Sequence, residues 1–226
     1  MADQVKPRRR YDSTRRREQA AATAREILAA AQALFEHHGY AATSMAGIAS
    51  EAGVSLKTVY LAFESKRGVL LALWNVLLRG DDEPTPVGER PWFRAVLDEP
   101  DPERQLRLNV RNAKIVRARI GPLLEVLRGA AAVDPEIDAL WGRIQTEFHD
   151  NQRSVIEVLH QRSALRPDLD VARATDILWA LNHPNLYRLL VNDRGWTPDQ
   201  HEEWLGTLLC SQLLEPRAAE TSDRAS

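Results

Sequence analysis

An all-α fold is predicted for this chain of 226 residues by three observations. Apolar residues recur at helical spacing in one segment after another, helix-starting punctuation is repeated along the chain, and no stretch of useful length alternates apolar and polar residues as a half-buried strand does. The helices are expected to form a small three-helix head followed by a larger helical bundle.

Residues 1–14 are charged and aperiodic, which predicts a flexible basic arm, with the first helix starting near Thr14. Ile27, Leu28, Ala31, Leu34 and Phe35 lie on one helical face, and Gly39 ends that helix as a left-handed cap does. The adjacent His37 and His38 point in different directions from a helix, so they suit the negative end of its dipole better than a shared metal ion. Met45, Ile48, Ala49 and Ala52 mark a short second helix. Gly53 allows the turn after it, Val54 plugs the crossing, and Ser55 is an N-cap for a third helix over residues 56–61. In that helix Val59 faces the core while Lys57, Thr58 and Tyr60 are left on other faces. Two short helices around a tight turn make a helix-turn-helix, whose second helix enters the major groove of DNA.

Ser65 caps a fourth helix with the stripe Val69, Leu70, Leu73, Trp74 and Leu77, running to about Arg79. Gly80 to Pro91 is acidic and rich in Pro and Gly, hence a loop and the expected domain boundary. Beyond it, Asp101-Pro102-Glu103 and Asp134-Pro135-Glu136 each combine an N-cap, a proline in the first turn and an acid beside the helix dipole, and Thr197-Pro198-Asp199-Gln200 adds a capping box. The helix after Asp134 keeps its period through Ile137, Leu140, Trp141, Ile144, Phe148, Val155, Val158 and Leu159. Asp170 opens another helix, which Pro184 should bend because it cannot donate to the carbonyl of Ala180. The expected division is therefore an arm over 1–14, a helix-turn-helix domain over 15–64, a connecting helix over 65–80, a larger helical domain over 81–214, and a disordered tail over 215–226.

Charge is divided in the same way. Residues 1–80 hold 12 Lys and Arg against 7 Asp and Glu, and the remainder holds 18 against 25, so a positive head precedes a negative bundle. Such a head suits the phosphate backbone, and the bundle repels it. This argues against an architectural protein that coats DNA, which needs basic character throughout. No run approaches the roughly 18 apolar residues of a membrane span, and the N-terminus lacks the apolar segment of a signal peptide, so the expected location is the cytoplasm. The lone Cys210 excludes an internal disulfide. An enzyme is disfavoured, because no Gly-rich phosphate loop, nucleophile elbow or His-Glu-x-x-His pair occurs; His201-Glu202-Glu203 begins like the last and lacks its second histidine. No catalytic residue, cofactor or metal site is expected.

The run from Ile27 to Trp74 resembles the DNA-binding domain of the TetR family of bacterial transcriptional regulators: Phe35-x-x-x-Gly39-Tyr40, Ala42-Thr43-Ser44, Ile48-Ala49, Ala52-Gly53-Val54-Ser55, Thr58-Val59-Tyr60, Phe63 and Ser65-Lys66. The resemblance covers about a quarter of the chain. It implies a regulator, expected to be a ligand-responsive homodimeric repressor on a palindromic operator, with an activator of the same fold as the alternative. Lys57 stands where many members carry a small residue, so the operators of other members do not transfer.

The N-terminal turn of a recognition helix reads bases, which selects Leu56, Lys57 and Thr58 together with Ser55 at its start. Lys57 is placed as donor to guanine, and Leu56 and the Thr58 methyl against thymine. By the resemblance, Thr43, Tyr60 and Lys66 grip phosphates, with an N-cap role for Thr43 as well. Arg15, Arg16 and Arg17 are expected either to enter a narrow minor groove or to add unspecific affinity.

In the bundle, Trp92, Trp141, Phe148 and Tyr187 supply aromatic walls, and Asn109, Asn112, Asn182 and His183 polar handles, for a small apolar or amphipathic effector. The bend at Pro184 reads equally as a pocket wall or as a helix following a dimer partner. By the resemblance, the last two long helices, about Asp170–Val191 and Thr197–Leu214, pair with their counterparts in a second copy, and Trp204, Leu205, Leu208 and Leu209 are the expected interface.

Overall fold

The computed structural model describes residues 12–81 and 85–216. Residues 1–11 of the expected arm and residues 217–226 of the expected tail lie outside the described residues. Ten α-helices account for the described fold: α1 Asp12–Ala42, α2 Met45–Glu51, α3 Leu56–Phe63, α4 Lys66–Arg79, α5 Pro91–Asp98, α6 Pro102–Ala131, α7 Pro135–Gln161, α8 Val171–Leu181, α9 Pro184–Tyr187 and α10 Pro198–Leu213. Among the described residues, β pairing is limited to one bridge between Leu165 and Leu214.

Helix punctuation falls where the local chemistry demands it. Asp101 Oδ1 accepts from Arg104 N at 2.9 Å and Asp134 Oδ1 from Glu136 N at 2.9 Å, while Thr197 and Gln200 close a reciprocal capping box. α1 begins at Asp12, slightly ahead of Thr14, and its regular part stops at Gly39, whose φ of +76° is left-handed. Gly68 is required for a different reason: a Cβ there would lie 2.0 Å from the Phe63 carbonyl oxygen, so only glycine lets α4 approach the end of α3.

The continuous helix expected after Asp170 is corrected. α8 ends at Leu181, Asn182 caps it, and His183 is extended (φ −70°, ψ 139°) before α9 starts at Pro184. A residue before proline is pushed out of helical geometry, so the bend becomes a break. The chain continues as a π-helical turn over Arg188–Asp193.

The chain divides into two compact units. Met1–Val76 and Pro122–Ile137 form the first; Leu77–Gly121 and Asp138–Ser226 form the second. The expected effector half therefore loses the segment around the α6–α7 turn to the head. The first unit buries Ile27, Phe35, Ile48, Val59 and Leu70 from its N-terminal part, and Leu123, Leu127 and Ile137 from the later segment. Its charged edge is tied by an ion pair between Arg67 and Glu136. The second unit has its own core of Phe93, Val96, Leu106, Val110, Val155, Ile156, Leu159, Leu178, Leu205 and Leu209.

Candidate functional site

In the head, α2 and α3 pack around a turn built from its own backbone: Val54 N donates to Ala49 O at 3.0 Å, and Gly53 takes a φ of +66°. Ser55 caps α3 by accepting from Thr58 N at 3.1 Å, and its hydroxyl lies 2.7 Å from that of Thr58. Val59 is fully buried, which orients the helix. Its opposite side is open: Leu56 is 42% and Tyr60 48% exposed, and Lys57 is exposed beside them. An exposed leucine, lysine and tyrosine on the first turns of a capped helix suit base edges and phosphates better than solvent alone. Arg15, Arg16 and Arg17 are exposed in the first turns of α1.

Two expected phosphate-gripping residues are engaged elsewhere. Thr43 is buried, and its hydroxyl donates to Gly39 O at 2.9 Å, while the N-cap of α2 is Ser44. That assignment is corrected on both counts: the Thr43 hydroxyl ties down the end of α1. Lys66 Nζ donates to the carbonyls of Tyr40 (2.7 Å) and Thr43 (2.9 Å) and lies 4.2 Å from the centre of the Tyr40 ring. Burial lowers its pKa, opposed by the nearby Asp134. The lysine is a brace between α1 and α4.

The second unit contains a buried polar chain. Asn109 Nδ2 and Asn182 Nδ2 both donate to Gln152 Oε1, at 3.0 and 3.2 Å. Arg117 Nη2 donates to Asn182 Oδ1 at 2.6 Å and also to the Asn182 carbonyl. The Arg117 guanidinium lies 5.5 Å from the centre of the Tyr187 ring, and His201 packs edge-on against the same ring at 5.0 Å. Desolvation lowers the pKa of Arg117 to about 10. Desolvation first, then the Arg117 charge, lowers that of His201 to about 4, so its imidazole is neutral at pH 7.

Of the expected effector residues, Asn182 and Tyr187 thus contact Arg117, and Asn109 is joined to Asn182 through Gln152. Phe148 and His183 form a separate group: their rings are 6.2 Å apart, and His183 Nε2 lies 2.9 Å from Gln145 Oε1 while its Nδ1 caps α9. Asn112 donates to Trp92 O at 2.9 Å, pinning α5 to α6, and Trp141 is half-buried on α7.

Sequence reasoning missed Arg117, Gln152 and His201. The signal was nonetheless present, because each sits on an apolar stripe of its helix: Arg117 in line with Val110 and Leu124, Gln152 with Phe148 and Val155, His201 with Leu205 and Leu209.

The expected dimer face is also corrected. Leu205 and Leu209 are 0% exposed and belong to the chain's own core. The wide apolar face of α10 serves two purposes: His201, Leu205, Leu209 and Leu213 turn inward, while Trp204 and Leu208 line a shallow surface depression with Trp196, Gln200, Glu203, Thr207 and Ser211. Trp196 and Trp204 pack edge-to-face there at 5.6 Å.

Among the described residues no group of three or more His, Cys, Asp or Glu is placed to hold a metal ion, and no helix is long and apolar enough to cross a membrane.

Comparison with known proteins agrees with this geometry. Residues 27–73 match the sequence model described as bacterial regulatory proteins, tetR family. The chain is 28% identical over 209 residues to the probable HTH-type transcriptional regulator ArpR of Pseudomonas putida, spanning 89% of this chain and 97% of that protein. Among solved structures it is similar to NalD, the secondary repressor of the MexAB-OprM multidrug efflux pump in Pseudomonas aeruginosa (TM-score 0.64, 22% identity, 88% of this chain and 99% of that one). It is also similar to SmeT in its complex with triclosan (TM-score 0.67, 17% identity, 87% and 93%).

Proposed function

We propose that this chain, whose residues 27–73 match the TetR-family model and which is similar over most of its length to the regulator ArpR, is a DNA-binding transcriptional regulator of that kind and works in the cytoplasm as a homodimeric repressor. It binds a palindromic operator and lets go when a small apolar or amphipathic molecule occupies its larger unit. The single observation that carries this reading is the first turn of α3, where the Ser55 cap and the buried Val59 present Leu56, Lys57 and Tyr60 outward as a reading edge.

One recognition helix of eight residues contacts too few base pairs for specificity, so a second copy must supply another half-site. The outward face of α10 with Trp196, Trp204 and Leu208 supports the pairing surface. The polar chain from Asn109 to Arg117 inside an apolar core supports the effector site, and the triclosan complex of SmeT supports an apolar ligand. α6 carries Arg117 and, roughly one turn further on, the Pro122–Ala131 segment of the head's unit, while α4 also contributes to both units. A ligand that prefers one setting of these helices shifts the population of DNA-competent dimers, and its differential affinity is the only lever it has.

The test is a competition titration of the purified protein on DNA from upstream of its own gene against scrambled DNA of equal length at fixed salt. Specific binding at least about 10³-fold tighter than scrambled supports a regulator. Equal affinity overturns it.

A further inference from the structure

The geometry points to a subsite for the carboxylate of an amphipathic effector, formed by Arg117 Nη1 and His201 Nε2 beside the Tyr187 ring. This rests on the effector-site reading above and specifies its ligand class.

Arg117 is 6% exposed, and only its Nη2 is used, on Asn182. Its Nη1 is buried without a hydrogen-bond partner, and among the described residues no carboxylate pairs with it. An unpaired guanidinium in an apolar core is among the most costly groups to bury, and a helix stripe that otherwise carries Leu106, Val110 and Leu124 gives it no packing reason to be charged. The second orphan packs against the same aromatic ring. His201 is 1% exposed, packs on Tyr187, and its Nε2 has no partner. Arg117 and His201 also feel each other electrostatically, since the arginine charge helps to keep the imidazole neutral. A neutral imidazole protonated on Nε2 donates one hydrogen bond, and Arg117 Nη1 donates another.

Two buried donors, one of them cationic, facing no acceptor match the two oxygens of a carboxylate. A cationic ligand is repelled by Arg117, and a neutral one leaves its charge uncompensated. The rest of the ligand is apolar by the same reasoning, because the Tyr187 ring packs on both groups and the Trp204 ring on His201.

The experiment uses the full chain and a panel of carboxylates, from acetate through octanoate to dodecanoate, with benzoate and phenylacetate. Each is paired with its neutral amide, and inorganic phosphate is added as a control. Thermal melting and operator release are read together. At least one longer acid is expected to act at about tenfold lower concentration than its amide, the difference made by one charge-assisted contact. Arg117→Gln should remove that gap while the amide response stays, His201→Phe, which takes away the second donor, should narrow it, and Arg117→Lys should keep part of it. In an NMR titration, bound acid should move the His201 pKa upward from about 4, because an anion beside it favours the protonated ring. Acids and amides acting alike across the panel, or acetate and phosphate acting as well as octanoate, would overturn the carboxylate subsite. Should Arg117→Gln fail to fold, His201→Phe and the acid–amide comparison in the unaltered protein still decide the matter. Amides that release operator as well as their acids do would leave the broader effector reading standing while the carboxylate fails; that reading fails by itself if a wider set of apolar compounds releases no DNA.

Discussion

Lys66 and Tyr40 hold each other twice: the ammonium donates to the tyrosine carbonyl at 2.7 Å and sits 4.2 Å from the centre of its ring. With the third contact to Thr43 O, at 2.9 Å, this pins the start of α4 to the end of α1. Lys66→Met should therefore destabilise the head by about 1–3 kcal/mol, because hydrogen bonds from a charged donor to backbone carbonyls are lost in a half-buried place. Urea unfolding measures this. Full stability combined with a DNA affinity loss independent of sequence would return Lys66 to phosphate binding.

The exposed turn of α3 separates reading from gripping. Lys57→Ala should relax sequence preference at one position per half-site, costing roughly 1–3 kcal/mol on the preferred sequence and little on scrambled DNA. Tyr60→Phe should weaken all DNA alike. If Tyr60→Phe changed preference and Lys57→Ala did not, the two faces of α3 would have to be exchanged.

On α10, neighbouring leucines have opposite expectations. Leu208→Glu, with Trp204→Glu, puts charge on the outward depression and should give folded monomers that bind operator poorly. Leu205→Glu buries charge in the core of the single chain and should cost the fold itself, by about 4 kcal/mol or more. Sedimentation and circular dichroism together distinguish these. A dimer surviving the Trp204 and Leu208 changes would place the interface elsewhere.

His201 couples stability to pH. Its folded pKa, about 4, lies below the ordinary 6.5, so between these values the unfolded chain binds more protons than the folded one. The stabilisation is complete above 6.5 and is lost as pH falls toward 4, with a slope of at most about 1.4 kcal/mol per pH unit from this one proton. Subtracting the profile of His201→Phe from that of the unaltered protein isolates it. A difference that is flat over this window would mean that His201 titrates normally.

How much the sequence reveals depends on how local the cause is. Caps at Ser55, Asp101, Asp134 and Thr197 are set by neighbours within a few residues and were readable directly. The turn at Gly53 was equally plain, since backbone conformation there asks for glycine. The break before Pro184 is half-readable: the proline is visible, but sequence alone does not distinguish a bend within one helix from the extended geometry found at His183. What escaped is long-range. Whether Leu205 or Leu208 faces a partner depends on which side of α10 the rest of the chain covers, and a wide apolar face does not say. That Thr43 spends its hydroxyl on Gly39 and Lys66 its charge on Tyr40 follows from how α1, α2 and α4 meet. Arg117, Gln152 and His201 are polar residues at apolar stripe positions, a pattern that marks them as buried without showing which groups on other helices they meet.

The most direct test of sequence-specific reading by a symmetric pair of α3 helices is selection of DNA by the full chain from a random pool, with Lys57→Ala in parallel. The account predicts enrichment of an inverted repeat whose half-site centres lie about 10–10.5 base pairs apart or a multiple of that, and a loosened position in each half for the variant. An unenriched pool, or a site without two-fold symmetry, would contradict it.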